Sequence, residues 1–408
     1  MLYWGIDWSE HTQFVCICNA QGARLSQFNF ELSAAGLQRL ERERMQLAAP
    51  AADCLVAIET TQHLLVDYLL DQHFGVYWVP PNATHAYRNR QRSSQAHTDQ
   101  SDAALLAEIV RTDRASHVRL QPNLPLTQQL HALVRLSETL RRSIQRQSNQ
   151  LRAWLVRVFP AALELFADLT TQTALHVLSA YPSAPAARAL SLDEFRTFCC
   201  AHGYTRPQRL AARYAHLQAA WPQASPALVQ AAQEPVRLLA SLLLPQVQAR
   251  AQLHTQLQRL FVQHPDAPIF DSLPDAGVLL APALLVKVGD QRERFPNAQS
   301  VQALAGTCPV TERSGQKRWI HFRHGCDHEF RRISQQYARA SLRSSGWAQA
   351  YWAELRPHCR SDSHAYRCVA NRWLAIIWKL WQTRQPYDEA QHLQHRAARR
   401  RPLAAPLH

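Results

Sequence analysis

Short apolar stretches dominate the first part of the chain. YWGIDWS and QFVCICNA predict two β-strands, RLSQFNFEL predicts a third, and a helix is expected over Ser33 to Gln46. The continuous apolar runs Cys54 to Glu59 and Gly75 to Pro80 are typical of buried strands, and each leads into a helix. The order β-β-β-α-β-α-β-α predicts a ribonuclease-H-like α/β domain over residues 1–120.

The middle of the chain has helical periodicity. Apolar residues recur every three or four positions from Pro125 to Phe159, with arginines between them, which predicts one long amphipathic helix of coiled-coil type. A second long helix is expected from about Pro235 to Gln263, and the Ala- and Pro-rich stretch 160–230 predicts short helices. We therefore expect residues 121–265 to form a helical coiled-coil region that supplies spacing and self-association.

The last third of the chain predicts a mostly helical domain over residues 266–385, so the whole chain is expected to be α/β plus all-α. Within it, Ile269 to Asp290 has a short turn containing Pro274 and then an apolar helix. This pattern is typical of half of a helix-hairpin-helix, whose turn offers backbone N–H groups to a phosphate, and it equally fits an ordinary helix start. The basic tail 386–408, with its run RAARRRPL, is expected to be disordered.

The charge of the chain indicates a class of partner. The 408 residues carry 45 Lys and Arg against 31 Asp and Glu, which gives a formal charge of +14 and a pI near 9.8. Such a surplus is typical of proteins that meet phosphate, and it favours nucleic acid. The most apolar stretch, Val236 to Val247, is far shorter than the roughly 20 residues that a membrane span needs.

The nine cysteines have no regular spacing, which argues against a disulfide framework in a chain of this length. The N-terminal residues lack a basic segment followed by an apolar run, so no signal peptide is expected. Together these observations predict a cytoplasmic protein in a reducing compartment.

Four carboxylates of the predicted α/β domain occupy unfavourable positions. Asp99 and Asp102 are three residues apart, so on a helix their like charges would repel. Asp7 lies within an apolar strand and Glu59 ends another, where an uncompensated charge is costly. All four are explained together if they converge on Mg²⁺, or on Mn²⁺, because hard cations take oxygen ligands and also bind phosphate. Taken singly, the helix acids also fit a complement to the helix dipole, and the strand-end glutamate fits a pair with arginine.

Basic residues accompany two candidate sites. Arg88, Arg90 and Arg92 precede the helix acids, and we expect them to contact nucleic acid. Ser314 lies beside a glycine, and its hydroxyl is a candidate nucleophile because nearby cations would neutralise the charge of a phosphate. A Ser-Gly pair between basic residues is, on its own, more typical of a surface turn. The cations around the serine are Arg313, Lys317 and Arg318.

Histidine and cysteine are concentrated in one segment, HFRHGCDH, which is followed later by His358 and Cys359. The spacing within the segment matches no zinc-finger pattern, and ligands this close in sequence cannot all point inward. We therefore expect phosphate contacts or ordinary packing, and not a zinc site, from His321, His324, Cys326 and His328.

The acidic motifs resemble those of a known family. GID with Asp7, AIETT with Glu59, and HTDQSDA with Asp99 and Asp102 are similar, in that order, to the Asp-Glu-Asp-Asp domain of the insertion-sequence-110 class of transposases. That domain is itself similar to the Holliday-junction resolvase RuvC. GVYWVPPNATHAYRNRQR, ahead of the helix acids, resembles the family's strand, Asn-containing turn and basic residues. The resemblance implies that the four acids hold Mg²⁺ at the scissile phosphate.

The C-terminal domain resembles the transposase domain of the same family. A leucine-proline turn at Leu273 and Pro274, then FPNA, ALAG and ERSGQK, follow one another in the family's order. The family usually has a glycine where this chain has Asp275. The resemblance places Ser314 at the position of the family's nucleophilic serine, which forms a covalent phosphoserine-DNA intermediate.

The resemblance implies a DNA recombinase encoded by a prokaryotic insertion sequence. Its partners would be the element ends and target DNA, a structured noncoding guide RNA (a bridge RNA) transcribed from the element, and further copies of the chain in a dimer or tetramer. We would then expect it in the cytoplasm, at the nucleoid. Two other interpretations stay open, a Mg²⁺-dependent RuvC-like junction resolvase without serine chemistry and a non-catalytic nucleic-acid-binding assembly protein.

Overall fold

The N-terminal part of the chain folds around a mixed β-sheet, and the rest is mostly helical. The computed structural model describes residues 1–61, 63–91, 98–219, 221, 224–315 and 317–400, with side chains except at Gln91, Arg318 and residues 395–400. The chain divides into two compact units, Met1–Leu124 and Pro125–His408. Within the described ranges, no helix combines the length and the apolar character needed to cross a membrane.

Among its described residues, the first unit has six strands and four α-helices. The strands are β1 (Leu2–Asp7), β2 (Thr12–Cys18), β3 (Arg24–Glu31), β4 (Cys54–Ile58), β5 (Gly75–Trp78) and β6 (Val118–Arg119), and the helices are α1 (Ala34–Gln46), α2 (Leu64–Asp71), α3 (Pro81–Gln91) and α4 (Asp99–Asp113). The sheet order is β3-β2-β1-β4-β5-β6. Strands β1 to β3 pair antiparallel, β4 runs parallel to β1 and β5 parallel to β4, and β6 closes the edge antiparallel to β5.

Helices cover both faces of this sheet. On one face, Trp4 and Ile6 pack with Leu40 of α1 and Leu65 of α2. On the other face, side chains of β1 and β4 pack against α4 through residues such as Leu106. Burial on both faces explains why β4 is apolar throughout, as its sequence predicted. The α/β class is confirmed for this part, and the strand order is consistent with the ribonuclease-H-like prediction.

Where the structure describes it, the second unit is helical except for one hairpin of two strands, β7 and β8. Its elements are α5 (Pro125–Val158), α6 (Ala161–Leu165), α7 (Gln172–Ala180), α8 (Ala184–Arg188), α9 (Leu192–Ala201), α10 (Leu210–Gln218), α11 (Pro226–Phe261), α12 (Ala267–Asp271), α13 (Gly277–Val288), α14 (Ala298–Leu304), β7 (Val310–Ser314), β8 (Lys317–His321), α15 (His328–Ser341), α16 (Gly346–Leu355), α17 (Asp362–Thr383) and α18 (Glu389–Arg400).

The two long helices α5 and α11 lie antiparallel. Thr127 contacts His264, just after α11, at 2.8 Å, Ser137 contacts His254 at 3.3 Å, and Gln246 donates to Gln147 at 2.9 Å. Higher residue numbers on α5 thus pair with lower residue numbers on the α11 side. A hydrophobic core lies at each end of the pair. One combines Leu151 with α6 to α10, and the other combines Leu130 with α12 to α17.

The second predicted long helix begins earlier than the sequence indicated. Helix α11 starts at Pro226, and Pro235 and Pro245 lie inside it. A proline inside a helix removes one backbone hydrogen bond. Val236 and Leu243 are nevertheless fully buried on the α11 face beside these prolines, and this packing outweighs the local loss.

The basic tail departs from the expected disorder over its first part. Residues 389–400 form α18, and Glu389 anchors its start by accepting hydrogen bonds from the Ser345 hydroxyl at 3.0 Å and from the backbone N–H of Trp347 at 3.3 Å. These long-range contacts cannot be read from the composition of the tail. The prediction for residues 401–408 falls outside the described residues.

Candidate active site

Asp7 is the last residue of β1, near the middle of the sheet. Ile6 pairs with Ile58 in the parallel register between β1 and β4, so these two strands end side by side. Glu59 directly follows β4 and therefore lies at the same edge of the sheet as Asp7. The indole N–H of Trp78 donates to the Glu59 carbonyl at 3.1 Å, which fixes the end of β4 against β5.

The N-terminus of α4 carries Asp99 and Asp102 in its first turn. A capping box fixes this end, because the Thr98 hydroxyl accepts from the backbone N–H of Ser101 at 3.2 Å while the Ser101 hydroxyl accepts from the N–H of Thr98 at 3.0 Å. The positive end of the helix dipole favours both acids here. The dipole interpretation of the two aspartates therefore holds beside any metal-binding role.

Helix α4 approaches β1 at a distance that requires glycine. A Cβ on Gly5 would lie 1.9 Å from the carbonyl oxygen of Ala103 and 2.3 Å from the backbone nitrogen of Ala107. Asp7 is two residues after this glycine, and Asp102 directly precedes Ala103. The close packing of α4 on β1 thus sets the separation of the strand acid from the helix acids.

The other three acids act electrostatically on Asp7. Burial, followed by the negative charges of Asp102, Asp99 and Glu59, raises the pKa of Asp7 to about 7 from its usual 3.8. The positive charge of Arg88 acts in the opposite direction. The acid motifs are far apart in sequence, and the fold brings the other three carboxylates within electrostatic reach of the half-buried Asp7.

Arg88 belongs to this acidic cluster. Its Nη2 donates to Asp102 Oδ1 at 2.8 Å, and both side chains are only about one-fifth exposed. The sequence predicted Arg88 as a nucleic-acid contact, and the structure places it against a candidate metal ligand. The ion pair balances part of the negative charge of Asp102. The pKa of Asp7 stays raised in spite of the positive charge of Arg88.

The donor set fits a hard divalent cation. Carboxylate oxygens are the ligands that Mg²⁺ and Mn²⁺ prefer, and a dication would offset the burial and the repulsion that raise the pKa of Asp7. The residues that would hold it are Asp7, Glu59, Asp99 and Asp102.

The other predicted basic contacts are spread over both units. Arg90 lies on α3 and is exposed, while Arg92 lies outside the described residues. Arg313 and Lys317 are exposed on the hairpin of β7 and β8. The backbone of Arg318 pairs with that of Arg313 in the hairpin, and the Arg318 side chain is not described.

Ser314 ends β7 at the tip of the hairpin. It pairs with Lys317 in the register, and Gly315 between them has a left-handed φ of +59°. A turn with positive φ suits a hairpin of this kind and explains the glycine beside the serine. The Ser314 side chain is exposed, flanked by the cations of Arg313 and Lys317. The surface-turn interpretation is therefore correct for the local structure, and it leaves the hydroxyl accessible.

Gly5 was missed at the level of sequence, and so was the pairing of Arg88 with an acid of the site. Gly5 had a usable signal, because a glycine inside a strand often marks a close approach of another backbone. Arg88 had none beyond its charge, since its partner Asp102 lies 14 residues away on a different helix.

Known protein families match this chain in both its N-terminal and its C-terminal part. Residues 4–160 match the IS110 DEDD model described as Transposase, and residues 267–353 match the model described as Transposase IS116/IS110/IS902 family. A mini-circle transposase for IS117 from Streptomyces coelicolor is 30% identical over 402 residues, which cover 95% of each chain. This chain belongs to the IS110 family of transposases.

A second relative from Streptomyces coelicolor, the uncharacterized 43.6 kDa protein of insertion element IS110, is 26% identical over 290 residues and covers 70% of this chain and 71% of its own. The resemblance inferred from the motifs is confirmed, and so is the expectation of a DNA transposase enzyme. In this IS110-family transposase, the four acids lie in the first matched region and Ser314 lies in the second. A DEDD-type nuclease domain usually uses a divalent metal ion, in agreement with the carboxylate donor set.

Proposed function

We propose that this IS110-family transposase cuts and exchanges DNA strands with two groups of residues. Asp7, Glu59, Asp99 and Asp102 hold Mg²⁺ at the scissile phosphate, and Ser314 attacks that phosphate. The observation that carries the proposal is the convergence of three acids on the half-buried Asp7, with a pKa of about 7 that calls for a cation. The exposed hydroxyl of Ser314 between cations supports the second part.

The serine step conserves the phosphodiester. Ser314 Oγ forms a bond to phosphorus, the bond from phosphorus to one DNA oxygen breaks, the serine proton passes to solvent, and the released oxygen takes up a proton. A hydroxyl of another strand then displaces the serine and restores it. When bound, the metal ion polarises the phosphate and neutralises developing charge. No external energy source is needed, because each step exchanges one phosphate ester for another.

The basic side chains near the serine have a separate role in the proposal. Arg313 and Lys317 flank Ser314 and would neutralise the phosphate while its oxygens gain charge. Arg90 and the predicted contacts Arg92 and Arg318 would bind the nucleic-acid backbone. Arg88 would do so only after exchanging its partner Asp102 for phosphate, since its guanidinium is already in an ion pair.

The finer architecture belongs to the same proposal. The turn between α12 and α13 has left-handed φ values of +55° at Asp275 and +56° at Gly277, which suits a phosphate-binding helix-hairpin-helix turn. Asp275 therefore has the left-handed backbone conformation that glycine adopts most easily, at the position where the family usually has glycine. We assign α5 and α11 to coiled-coil self-association in a dimer or tetramer. The domains would be 1–120 (RuvC-like), 121–265 (helical), 266–385 (serine domain) and 386–408 (basic tail).

Guidance by a noncoding RNA rests on the family resemblance and on the net charge of +14. Base pairing by the RNA would read the DNA sequence, while the protein contacts backbone and shape. The protein would work in the cytoplasm, at the nucleoid, where the element's DNA lies.

The proposal is tested with supercoiled element-junction DNA, the flanking transcript and Mg²⁺ on a denaturing gel. The wild type should give a protein-DNA adduct that Ser314→Ala lacks. Thr311→Ala is the matched control, because Thr311 is an exposed hydroxyl residue three positions away on the same strand, and it should form the adduct.

Free nicked DNA from both the wild type and Ser314→Ala would contradict the serine step and support the resolvase interpretation. A reaction that persists in Asp99→Asn at the wild-type rate would contradict the metal-binding role of the acids.

A further inference from the structure

A cluster of soft ligands lies at the start of α17, apart from the sites described above. The Sγ atoms of Cys359 and Cys368 and a ring nitrogen of His364 all lie within 4.8 Å of one another. His364 and Cys368 are four residues apart on α17, and therefore share one face of the helix. Cys359 reaches the same face from the turn that precedes the helix.

The turn that carries Cys359 is fixed in place. The guanidinium of Arg356 donates to the Cys359 carbonyl at 3.4 Å and to the carboxylate of Asp362 in the first turn of α17. Ser361 caps the helix by accepting from the N–H of His364 at 3.3 Å. The three ligand side chains thus project from a preformed backbone, which lowers the entropy lost on binding an ion.

The distances suit a tetrahedral metal after a small side-chain adjustment. With Zn–S near 2.3 Å and Zn–N near 2.0 Å, the ligand atoms of a tetrahedral site are about 3.5–3.8 Å apart. Each pair therefore closes by about 1.3 Å at most, within the reach of small rotations about χ1 and χ2. All three side chains are half-buried, which leaves room for a fourth ligand from solvent.

The chemistry of the donors selects a different ion from the carboxylate cluster. Two thiolates and one imidazole are typical ligands of Zn²⁺, whereas Mg²⁺ takes oxygen. Two thiolates balance the charge of a dication, and the cations of Arg360 and Arg367 lie near the His364 ring. The site would therefore be electrically neutral in a basic environment.

We propose that Cys359, His364 and Cys368 bind one Zn²⁺, with water in the fourth position. The segment HFRHGCDH supplies none of these ligands. Within it, Cys326 Sγ accepts from Arg331 at 2.7 Å, and His324 packs edge-on against Phe322. The expectation that this segment forms no zinc site stays a prediction, and Cys359 takes its partners from α17.

The position of the zinc site gives it a structural role beside the serine hairpin. Arg367, which adjoins Cys368, places its guanidinium 4.7 Å from the centre of the Phe322 ring. Phe322 directly follows β8, and Arg331 packs on the same ring at 4.4 Å. Fixing the start of α17 by zinc therefore fixes the base of the hairpin that presents Ser314.

The first test measures zinc in the full-length protein, purified under reducing conditions and dialysed after saturation with Zn²⁺. We expect one zinc per chain in the wild type and in Asp99→Asn, and none retained by Cys359→Ser with Cys368→Ser. Cys200→Ser is the matched control, since Cys200 is exposed at the end of α9, and it should retain the metal. Asp99→Asn separates this site from the carboxylate cluster.

Co²⁺ provides a second readout that does not depend on activity. The wild type should show the intense ligand-field bands of tetrahedral Co²⁺ and thiolate-to-metal charge transfer, and His364→Ala should weaken or lose the tetrahedral bands while remaining folded by circular dichroism. No retained zinc in the reduced wild type, or equal retention by the double serine variant, would overturn the proposal. A Cys359–Cys368 disulfide that forms in the presence of reductant and excess zinc would also overturn it.

Discussion

Asp7 is the residue whose environment says most about the chemistry. Half-buried at the end of β1 and close enough to three other acids to feel their charges, it has a pKa raised to about 7 when no cation is present. A carboxyl group in this state is neutral in acid and becomes a metal ligand near neutral pH. The protonation of Asp7 and the binding of a divalent ion are therefore linked.

Asp7 predicts how the stability of the metal-free protein depends on pH. Its folded pKa of about 7 lies above its ordinary 3.8, so the folded state holds the proton more tightly. The resulting stabilisation is fully present below about pH 4 and is lost as the pH rises through about 7. In chelator, the free energy of unfolding by urea should decrease from about pH 5 to about pH 8, and Asp7→Asn should remove that decrease. Asp193→Asn, an exposed control, should keep it.

Stabilisation by Mg²⁺ should increase as the pH rises, because the ion binds the deprotonated carboxylate of Asp7. Mg²⁺ should raise the wild-type melting temperature more at about pH 8 than at about pH 5. An equal effect at both pH values, or the same Mg²⁺ effect in Asp7→Asn, would contradict the assignment of Asp7 as a ligand.

Arg88 and Arg90 lie on one helix and should behave differently. Arg88 lowers the pKa of Asp7 and pairs with Asp102, whereas Arg90 is exposed. Arg88→Gln should therefore shift the pH at which Mg²⁺ binds upward, measured by Mg²⁺-dependent melting over a pH series. Arg90→Gln should leave that pH unchanged and weaken DNA binding. Identical effects of the two substitutions would show that Arg88 binds nucleic acid and does not act on the carboxylate cluster.

At the scale of elements, the contact between α4 and β1 builds the site. Gly5→Ala would put a methyl group 1.9 Å from the Ala103 carbonyl oxygen, so α4 must move away from the strand. We expect a loss of about 2 kcal/mol or more in the free energy of unfolding, at the upper end of overpacking effects, together with loss of DNA cleavage.

Gly325→Ala makes the same chemical change where nothing lies within 4 Å of the added carbon, and it should be close to neutral. Urea unfolding and the cleavage gel measure both variants. A stable, active Gly5→Ala protein would show that the spacing of α4 from β1 does not position the acids.

At the scale of the whole molecule, the charge of +14 predicts strongly salt-dependent DNA binding. If Arg313 contacts a phosphate, Arg313→Gln should reduce the slope of log K against log salt by about 1. Arg196→Gln is the control, because Arg196 is already paired with Asp193 at 2.5 Å, and its slope should match the wild type. Equal slopes for all three proteins would remove Arg313 from the interface.

Much of the first unit follows from its sequence. The apolar runs of β1, β2 and β4 and the predicted helix start at Ser33 are local signals, and the acids stand out because they interrupt apolar stretches. The hairpin of β7 and β8 was missed, since both strands are largely exposed and show no buried alternate face. The group formed by Cys359, His364 and Cys368 was missed as well. Its ligands come from a turn and a helix whose meeting depends on tertiary structure.

The central claim is that Ser314 and the carboxylate cluster act in one strand-exchange reaction. The most direct measurement is mass spectrometry of the protein after reaction with element-junction DNA, nuclease digestion and proteolysis. We expect a nucleotide linked to Ser314 in the wild type with Mg²⁺, and none in Asp7→Asn or in chelator. Cleaved DNA with no nucleotide on Ser314, or a nucleotide on another residue, would contradict it.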